Sequence, residues 1–265
     1  MTQDWIKARL DETGVGVLTL NRAEIMNALS PPLLDALARE IDALVENGAR
    51  SLVITGAGRA FCAGADLGTA AGFEAQAREE AGTTGLQHFY HPFLRKLRAC
   101  PVPLVAAVNG VAGGAGMSLA MMCDIICAGR SAVFLQAFRN VGLVPDCGST
   151  WLLPRLVGLV RARELSLLGN RLGAEQALAW GLVNRVFADD ELLDGATALA
   201  RALADGPVGA LGRIRQLYWE SPSNDFETQL DLEDAFQSEM SAGPDFREGV
   251  AAFLEKRRPD FRNPG

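Results

Sequence analysis

The sequence predicts an α/β fold in which strand, strand and helix repeat, followed by a run of helices towards the C-terminus. Three observations carry that expectation. Short uncharged runs such as Ser51-Leu-Val-Ile-Thr55 and Leu104-Val-Ala-Ala-Val108 read as buried strands. Both lead into glycine-rich sequence, Gly56-Ala-Gly58 with Ala63-Gly64 in one case and Gly110 to Gly116 in the other. Beyond Ser149 the apolar spacing becomes helical almost throughout.

Taken in order, residues 6–10 and 15–20 read as paired strands across a turn at 11–14. Ser30-Pro31 is a helix start, and Leu33, Leu37, Ile41, Leu44 and Val45 mark its buried face. Residues 68–87, rich in Gly, Ala, Thr and Glu, carry a weak helical pattern at best and read as a mobile surface segment. Phe89, Phe93, Leu94 and Leu97 form a helix stripe that stops before Pro101-Val-Pro103. The run from Leu104 to Cys123 holds no charge, which invites a membrane reading. Asn109-Gly110 and the glycines at 113, 114 and 116 break it, so it parses as a strand, a tight turn and a short helix of small residues ending near Met122. Short strands follow at 124–128 and 133–135. Helices are then expected at 151–157, 161–168, 174–180, 191–204, 208–220, 226–240 and 245–256, with one strand at 182–187.

Composition narrows the function classes. The 265 residues, 49% apolar and 22% charged, are those of an ordinary globular chain. A net charge of −7 argues against nucleic acid as a partner, because phosphate binding needs a basic surface. The N-terminal sequence lacks the charged-then-apolar order of a signal peptide, so a cytoplasmic location is expected, with no membrane partner. Five cysteines, at 62, 100, 123, 127 and 147, read as reduced core thiols. Cys123 and Cys127 have no matching second pair, and His88 and His91 have no third ligand, so no metal is expected.

Two other chemistries fail on spacing. Thr55-Gly-Ala-Gly-Arg-Ala-Phe61 begins like a dinucleotide fingerprint, but Phe61 stands where its third glycine belongs. Gly116-Met-Ser-Leu-Ala120 imitates a hydrolase nucleophile elbow, yet no histidine follows His91 to complete a triad. A strand-to-helix junction of glycines remains. It lets a ligand approach the backbone and presents free N–H groups, the makings of an oxyanion site. Close helix packing is the plainer use of such small residues.

Three motifs together go further. Residues Ser51 to Leu67, the stretch Val108-Asn-Gly-Val-Ala-Gly-Gly-Ala-Gly-Met-Ser118 and Leu143-Val-Pro-Asp-Cys-Gly-Ser-Thr-Trp151 occur in the order seen in the enoyl-CoA hydratase/isomerase (crotonase) superfamily, which this chain resembles over nearly its whole length. The resemblance implies a crotonase-like ββα superhelix, an acyl-CoA-binding core over 1–200 and a C-terminal helical region over 201–265 that builds a homotrimer or homohexamer. It implies an acyl-CoA thioester as substrate, with coenzyme A carried on the substrate and no separate cofactor.

The resemblance also assigns residues. The oxyanion donors would be the N–H groups of Ala65 and Ala115. Arg22, Glu24, Ala63, Asp66, Leu67, Phe253 and Lys256 would bind the CoA portion; for Lys256 a solvated helix end is the competing reading. Hydratases of this family use two glutamates, and the corresponding positions here are Ser118 and Phe138. Asp146 stands where isomerase-like members carry an acid, among Leu143, Val144, Pro145 and Trp151, apolar neighbours that would raise its pKa. A turn residue or helix cap is the alternative for Asp146. The block 143–155, with Phe89-Tyr-His-Pro-Phe93 and Leu167-Leu-Gly-Asn-Arg171, is similar to family members that isomerise ring-epoxidised phenylacetyl-CoA. An isomerase using Asp146 as its one proton shuttle is therefore expected. A hydratase-type lyase and a non-catalytic acyl-CoA-binding relative are the alternatives.

Overall fold

The computed structural model describes residues 4–263; the start of the N-terminal sequence read above for targeting, residues 1–3, lies outside them. The expected hairpin is present, with β1 (Ile6–Leu10) antiparallel to β2 (Val15–Leu20) and Ile6 opposite Leu20. Helix α1 (Pro31–Glu46) starts at the Ser-Pro signal and buries Leu33, Leu34, Leu37, Ile41 and Leu44. It is followed by β3 (Ser51–Gly56) and β4 (Ala60–Cys62).

The segment read as mobile is ordered instead. Helix α2 (Ala70–Ala81) fills most of it and ends at Gly82, whose φ of 62° glycine adopts freely. Phe73 and Ala77, four residues apart, explain it: Ala77 is buried, and the Phe73 ring meets Phe89 edge-on at 5.8 Å. A single π-helical turn over Leu86–Tyr90 then leads into α3 (His91–Arg98).

Three further pairs or helices complete the core. They are β5 (Leu104–Val108) with β6 (Val111–Gly113), α4 (Ala115–Met121), and β7 (Ile125–Gly129) with β8 (Val133–Leu135). After α5 (Ser149–Val157) and α6 (Leu159–Leu168) come β9 (Arg171–Gly173), α7 (Ala174–Ala179) and β10 (Arg185–Phe187). The last four helices are α8 (Leu192–Ala204), α9 (Val208–Glu220), α10 (Phe226–Ser241) and α11 (Pro244–Glu255).

The strands form two sheets, one of six in the order β1-β2-β3-β5-β7-β10 and one of four in the order β4-β6-β8-β9. Each pair β3/β4, β5/β6 and β7/β8 sends its first strand to the larger sheet and its second to the smaller. The chain thus climbs as a superhelix, with β3, β5 and β7 parallel in one wall and β4, β6 and β8 parallel in the other. Strands β4, β6 and β9 were not expected from sequence. Each is three residues long, too short for a period to show.

The inner strands of the larger sheet, β2, β3, β5 and β7, are buried on both faces, which is why they read as largely apolar runs. Leu52, Ile54, Leu104 and Ala106 face the main core, while Val53, Val105 and Ala107 face a second layer closed by α8. Ala196, Ala200 and Ala204 recur every four residues along α8 and let it lie close against the sheet. Asp124, at the start of β7, accepts from the Leu104 N–H at 2.7 Å and from Arg215 Nε at 2.5 Å, so α9 is tied to the core by a partly buried charge pair. Trp151 of α5 stacks on Trp219 of α9, centroids 5.6 Å apart.

The region 201–265 holds α9, α10 and α11, and in the single chain it leaves much apolar surface bare. Tyr218 is 77% exposed, Phe226 73% and Phe253 81%. Leu143, Val144, Val160 and Leu167 are exposed as well. Among the described residues, no helix is long and apolar enough to cross a membrane.

Candidate active site

The site begins with two backbone loops forced together. After β4 the chain runs through Ala63 and Gly64 against the end of β6 and the start of α4. The approach is so close that a Cβ on Gly116 would stand 2.1 Å from the Cys62 carbonyl oxygen. One on Gly64 would lie 3.0 Å from the Gly113 oxygen and 3.7 Å from the Ala115 nitrogen, and Gly64 also holds a φ of 114°. Only glycine tolerates either position.

A third segment clamps the first loop. Leu29 N–H donates to the Gly64 oxygen and Asp66 N–H to the Leu29 oxygen, each at 2.7 Å, and Ala63 N–H reaches the Met26 oxygen. Those three bonds leave out the Ala65 N–H. Ala115 is the first residue of α4, where a helix has no internal acceptor to offer. Among the described residues neither N–H has a hydrogen-bond acceptor. The two expected donors are therefore free, and Gly64, the residue before Ala65, lies close against the start of α4 where Ala115 stands.

Asn27, which sequence reasoning missed, organises the clamp. It is fully buried, accepts from Arg22 N–H at 2.9 Å, and donates to the carbonyls of Ala57 and Ala60. Both Met26 and Asn27 sit at positive φ, a conformation asparagine tolerates better than most residues.

Arg22, Glu24 and Asp66 meet as expected. Arg22 lies 3.6 Å from Asp66, 4.0 Å from Glu24, 3.1 Å from Ser30 Oγ and over the Trp5 ring. Leu67 is exposed beside them. Phe253 and Lys256 are not part of this group within one chain. Phe253 shares a groove with Pro207, Met240, Phe246 and Phe261, and Lys256 ends α11 in a left-handed conformation.

Asp146 sits in the turn between the 3-10 segment Ala137–Val141 and α5. It does serve a turn: its backbone oxygen accepts from Ser149 N–H at 2.9 Å across Cys147 (φ 49°) and Gly148 (φ 79°). Its carboxylate does not cap α5, whose N-cap is Gly148 with no side-chain bond. The half-buried carboxylate instead leaves Oδ1 enclosed and without a partner. Burial pushes its pKa above the usual carboxylate range, partly opposed by the Cys147 thiol and the charge of His91.

Tyr90, also missed, braces the loop that carries Ala65 and lies near the Asp146 carboxylate. Its hydroxyl donates to the Leu29 oxygen at 3.0 Å, within the clamp that frees Ala65. Burial, reinforced by Cys147, Asp146, Cys62 and Asp66 nearby, holds the phenol protonated far above its ordinary pKa. The π-helical turn immediately before α3 aims it there, and a single irregular turn has no sequence period to announce it. His91, the first residue of α3, lies near Asp146, whereas His88 pairs with Glu80 at 3.7 Å.

The two positions at which hydratases carry glutamates are both closed. Ser118 is fully buried and bonded to Ser149 Oγ at 2.7 Å. Phe138 is 7% exposed, and its ring fills the space 3.7 Å from where a Cβ on Gly114 would stand. All five cysteines are free and buried, and burial pushes the Cys62 thiol up to about 12. They are packing residues, not nucleophiles.

Known proteins match this architecture. The family model described as enoyl-CoA hydratase/isomerase matches residues 11–264. The 1,2-epoxyphenylacetyl-CoA isomerase of Escherichia coli (strain K12) is 46% identical over 251 residues, covering 94% of this chain and 95% of the relative. A probable enoyl-CoA hydratase of Rhodobacter capsulatus is 41% identical, covering 98% and 99%. The crystal structure of an enoyl-CoA hydratase from Bacillus anthracis superposes with a TM-score of 0.89 at 32% identity, covering 97% of this chain and 99% of that one. Sequence and superhelical fold agree: the chain belongs to the enoyl-CoA hydratase/isomerase, or crotonase, family.

Proposed function

We propose that this protein is an acyl-CoA isomerase in which Asp146 alone moves the proton. The observation that carries the reading is the Asp146 carboxylate, enclosed and with Oδ1 unpartnered, in a site where Ser118 and Phe138 replace the two hydratase glutamates. The thioester oxygen accepts hydrogen bonds from Ala65 and Ala115 N–H. These bonds strengthen as negative charge develops on oxygen, and one such donor is worth about 2.7 to 4 kcal/mol in a transition state. The carbon next to the carbonyl becomes acidic enough for the Asp146 carboxylate to remove its proton. Asp146, now neutral, returns that proton two carbons further along the conjugated enolate, so the double bond shifts by one position. No water is consumed. A raised pKa suits this role, because the group must accept the proton and then give it back.

The similarity to the Escherichia coli epoxyphenylacetyl-CoA isomerase favours a ring-epoxidised phenylacetyl-CoA as substrate, rearranged to its oxepin form through the same enolate. Arg22, Glu24, Ala63, Asp66 and Leu67 line the CoA portion. Phe253 and Lys256 do so from a neighbouring subunit of a homotrimer or homohexamer, where the bare apolar faces of α9 to α11 are covered. The test is a panel of thioesters, the ring epoxide, 3-enoyl-CoA and 2-enoyl-CoA, read by mass and ultraviolet absorbance. Isomerised product of unchanged mass from the first two supports the reading. A gain of 18 mass units from 2-enoyl-CoA as the dominant reaction would replace it with the hydratase reading, and no turnover with tight binding would leave an acyl-CoA-binding relative.

A further inference from the structure

Behind Asp146 lies a buried polar cluster that the proton transfer does not use. Ser118, Gln136 and Ser149 are each 1% exposed or less. Ser118 is on α4, one turn beyond the donor residue Ala115, and Ser149 is the first residue of α5. Their hydroxyls meet at 2.7 Å, the firm bond of the cluster. Gln136 Nε2 approaches Ser149 Oγ at 3.5 Å and Met117 Sδ at 3.2 Å, and its Oε1 has no partner. Through its own N–H, Ser149 holds the Asp146 carbonyl at 2.9 Å, and Ser118 Oγ lies 3.5 Å from that same oxygen.

Two elements are thereby joined: the helix whose first N–H is an oxyanion donor, and the turn that carries the carboxylate. The turn needs holding. Cys147, a side chain with a Cβ, sits at a φ of 49°, a backbone state that costs about 1 to 2 kcal/mol and persists only where neighbours impose it. Val144 and Leu143 on the other side are exposed and offer little packing. Hydroxyls are a costly choice for such a buried place, since an apolar pair would fill it without any polar group to satisfy. What an apolar pair lacks is a directional bond.

We propose that Ser118 and Ser149 are positioning residues: their hydroxyl pair fixes the distance between the Asp146 carboxylate and the oxyanion donors. In this chain the residue at the hydratase glutamate position holds the base instead of being one. The inference rests on Asp146 being the base, and the experiment separates the two. Ser118→Ala and Ser149→Ala each strand one buried hydroxyl and lower the melting temperature. The double variant strands neither and melts near the parent. A purely structural pair would recover turnover along with stability.

Positioning predicts that kcat for a 3-enoyl-CoA stays down in the double variant, about tenfold to a hundredfold, with KM little changed, as expected for a misplacement on the order of 1 Å. In the Asp146→Asn background the same pair of substitutions has no further effect, because the group being positioned is gone. Recovery of parental kcat in the double variant overturns the inference. Should that variant fail to fold, Ser118→Cys decides: a weak donor of similar size gives intermediate kcat, and parental kcat overturns the proposal. Full activity of Asp146→Asn alone would instead remove the isomerase reading beneath it.

Discussion

The two halves of the site are built from different materials. The half proposed to hold the oxyanion is backbone: Ala65 and Ala115 N–H are set by glycines packed so tightly that Gly116 could not bear a methyl group. The half proposed to hold the base is side chains: Asp146 and Cys147 on a turn and Ser149 at the start of α5, flanked by Leu143 and Val144 that stand exposed. A backbone site has little room to vary, because a side chain at Gly64, Gly113 or Gly116 would press on a carbonyl oxygen. A side-chain site can be rewritten by single substitutions without disturbing the fold. On the proposed reading, the first half stabilises a thioester enolate and the second decides what becomes of the proton.

The sharpest way to break the first half is Gly116→Ala. With its Cβ 2.1 Å from the Cys62 oxygen, either β4 or α4 must shift, and both carry the site. Overpacking of this kind costs about 1 to 3 kcal/mol. Loss of even one oxyanion donor lowers kcat about 10² to 10³-fold. Turnover should thus be nearly abolished and the melting temperature lowered together, measured by steady-state kinetics and calorimetry. A stable, active Gly116→Ala would mean that the loops are not as constrained as their contacts indicate.

Asp146→Asn addresses the second half alone. It keeps the shape of the side chain and leaves the backbone bond to Ser149, so the turn survives. A general acid–base group is worth about 10² to 10⁴ in rate, and kcat should fall by at least the lower figure while thioester affinity is retained. The contrast with Gly116→Ala is the point: one variant loses stability and activity together, the other activity only. Hydration of a 2-enoyl-CoA, followed by loss of the conjugated chromophore, should be slow or absent in the parent. Ser118 and Phe138 supply no carboxylate, and Phe138→Glu should not restore it because the ring also fills the space beside Gly114.

The same division explains what was legible in the sequence. The glycine motifs and apolar strands could be read because backbone sites leave compositional marks: Gly64, Gly113, Gly114 and Gly116 stand at fixed offsets from β4 and β6. Asp146 was singled out through resemblance, and its role as base is the proposal made above. Its partners were not. Tyr90 reaches the clamp from a π-helical turn, Asn27 acts through a left-handed backbone, and Ser149 meets Ser118 across 31 positions of sequence. None of these has a local pattern. Helix α2 escaped notice for a related reason, since its single buried residue, Ala77, and the Phe73–Phe89 contact are tertiary features laid over a weakly amphipathic sequence.

The smallest expected effect, and the most direct on the state of the base, is the pH dependence of stability in Asp146→Asn. Burial raises the Asp146 pKa in the folded chain above the 3.8 of an unperturbed aspartate, so between the two values the native state binds more protons than the unfolded one. Stability then falls as pH rises through that window, because ionising the enclosed carboxylate costs more in the native site than in water. Asparagine carries no such penalty. At pH below the unfolded value the parent and Asp146→Asn should melt alike, apart from any difference between a neutral acid and an amide. Towards neutral pH the variant should become the more stable of the two, and the gap should stop growing once the native carboxylate is fully ionised. The acid limb of the parent's kcat/KM profile should fall in that same range, above where an exposed aspartate titrates. A melting difference that is flat with pH would mean that water or substrate-free rearrangement solvates Asp146 fully. The base half would then be more open than the oxyanion half by far more than its side-chain construction requires.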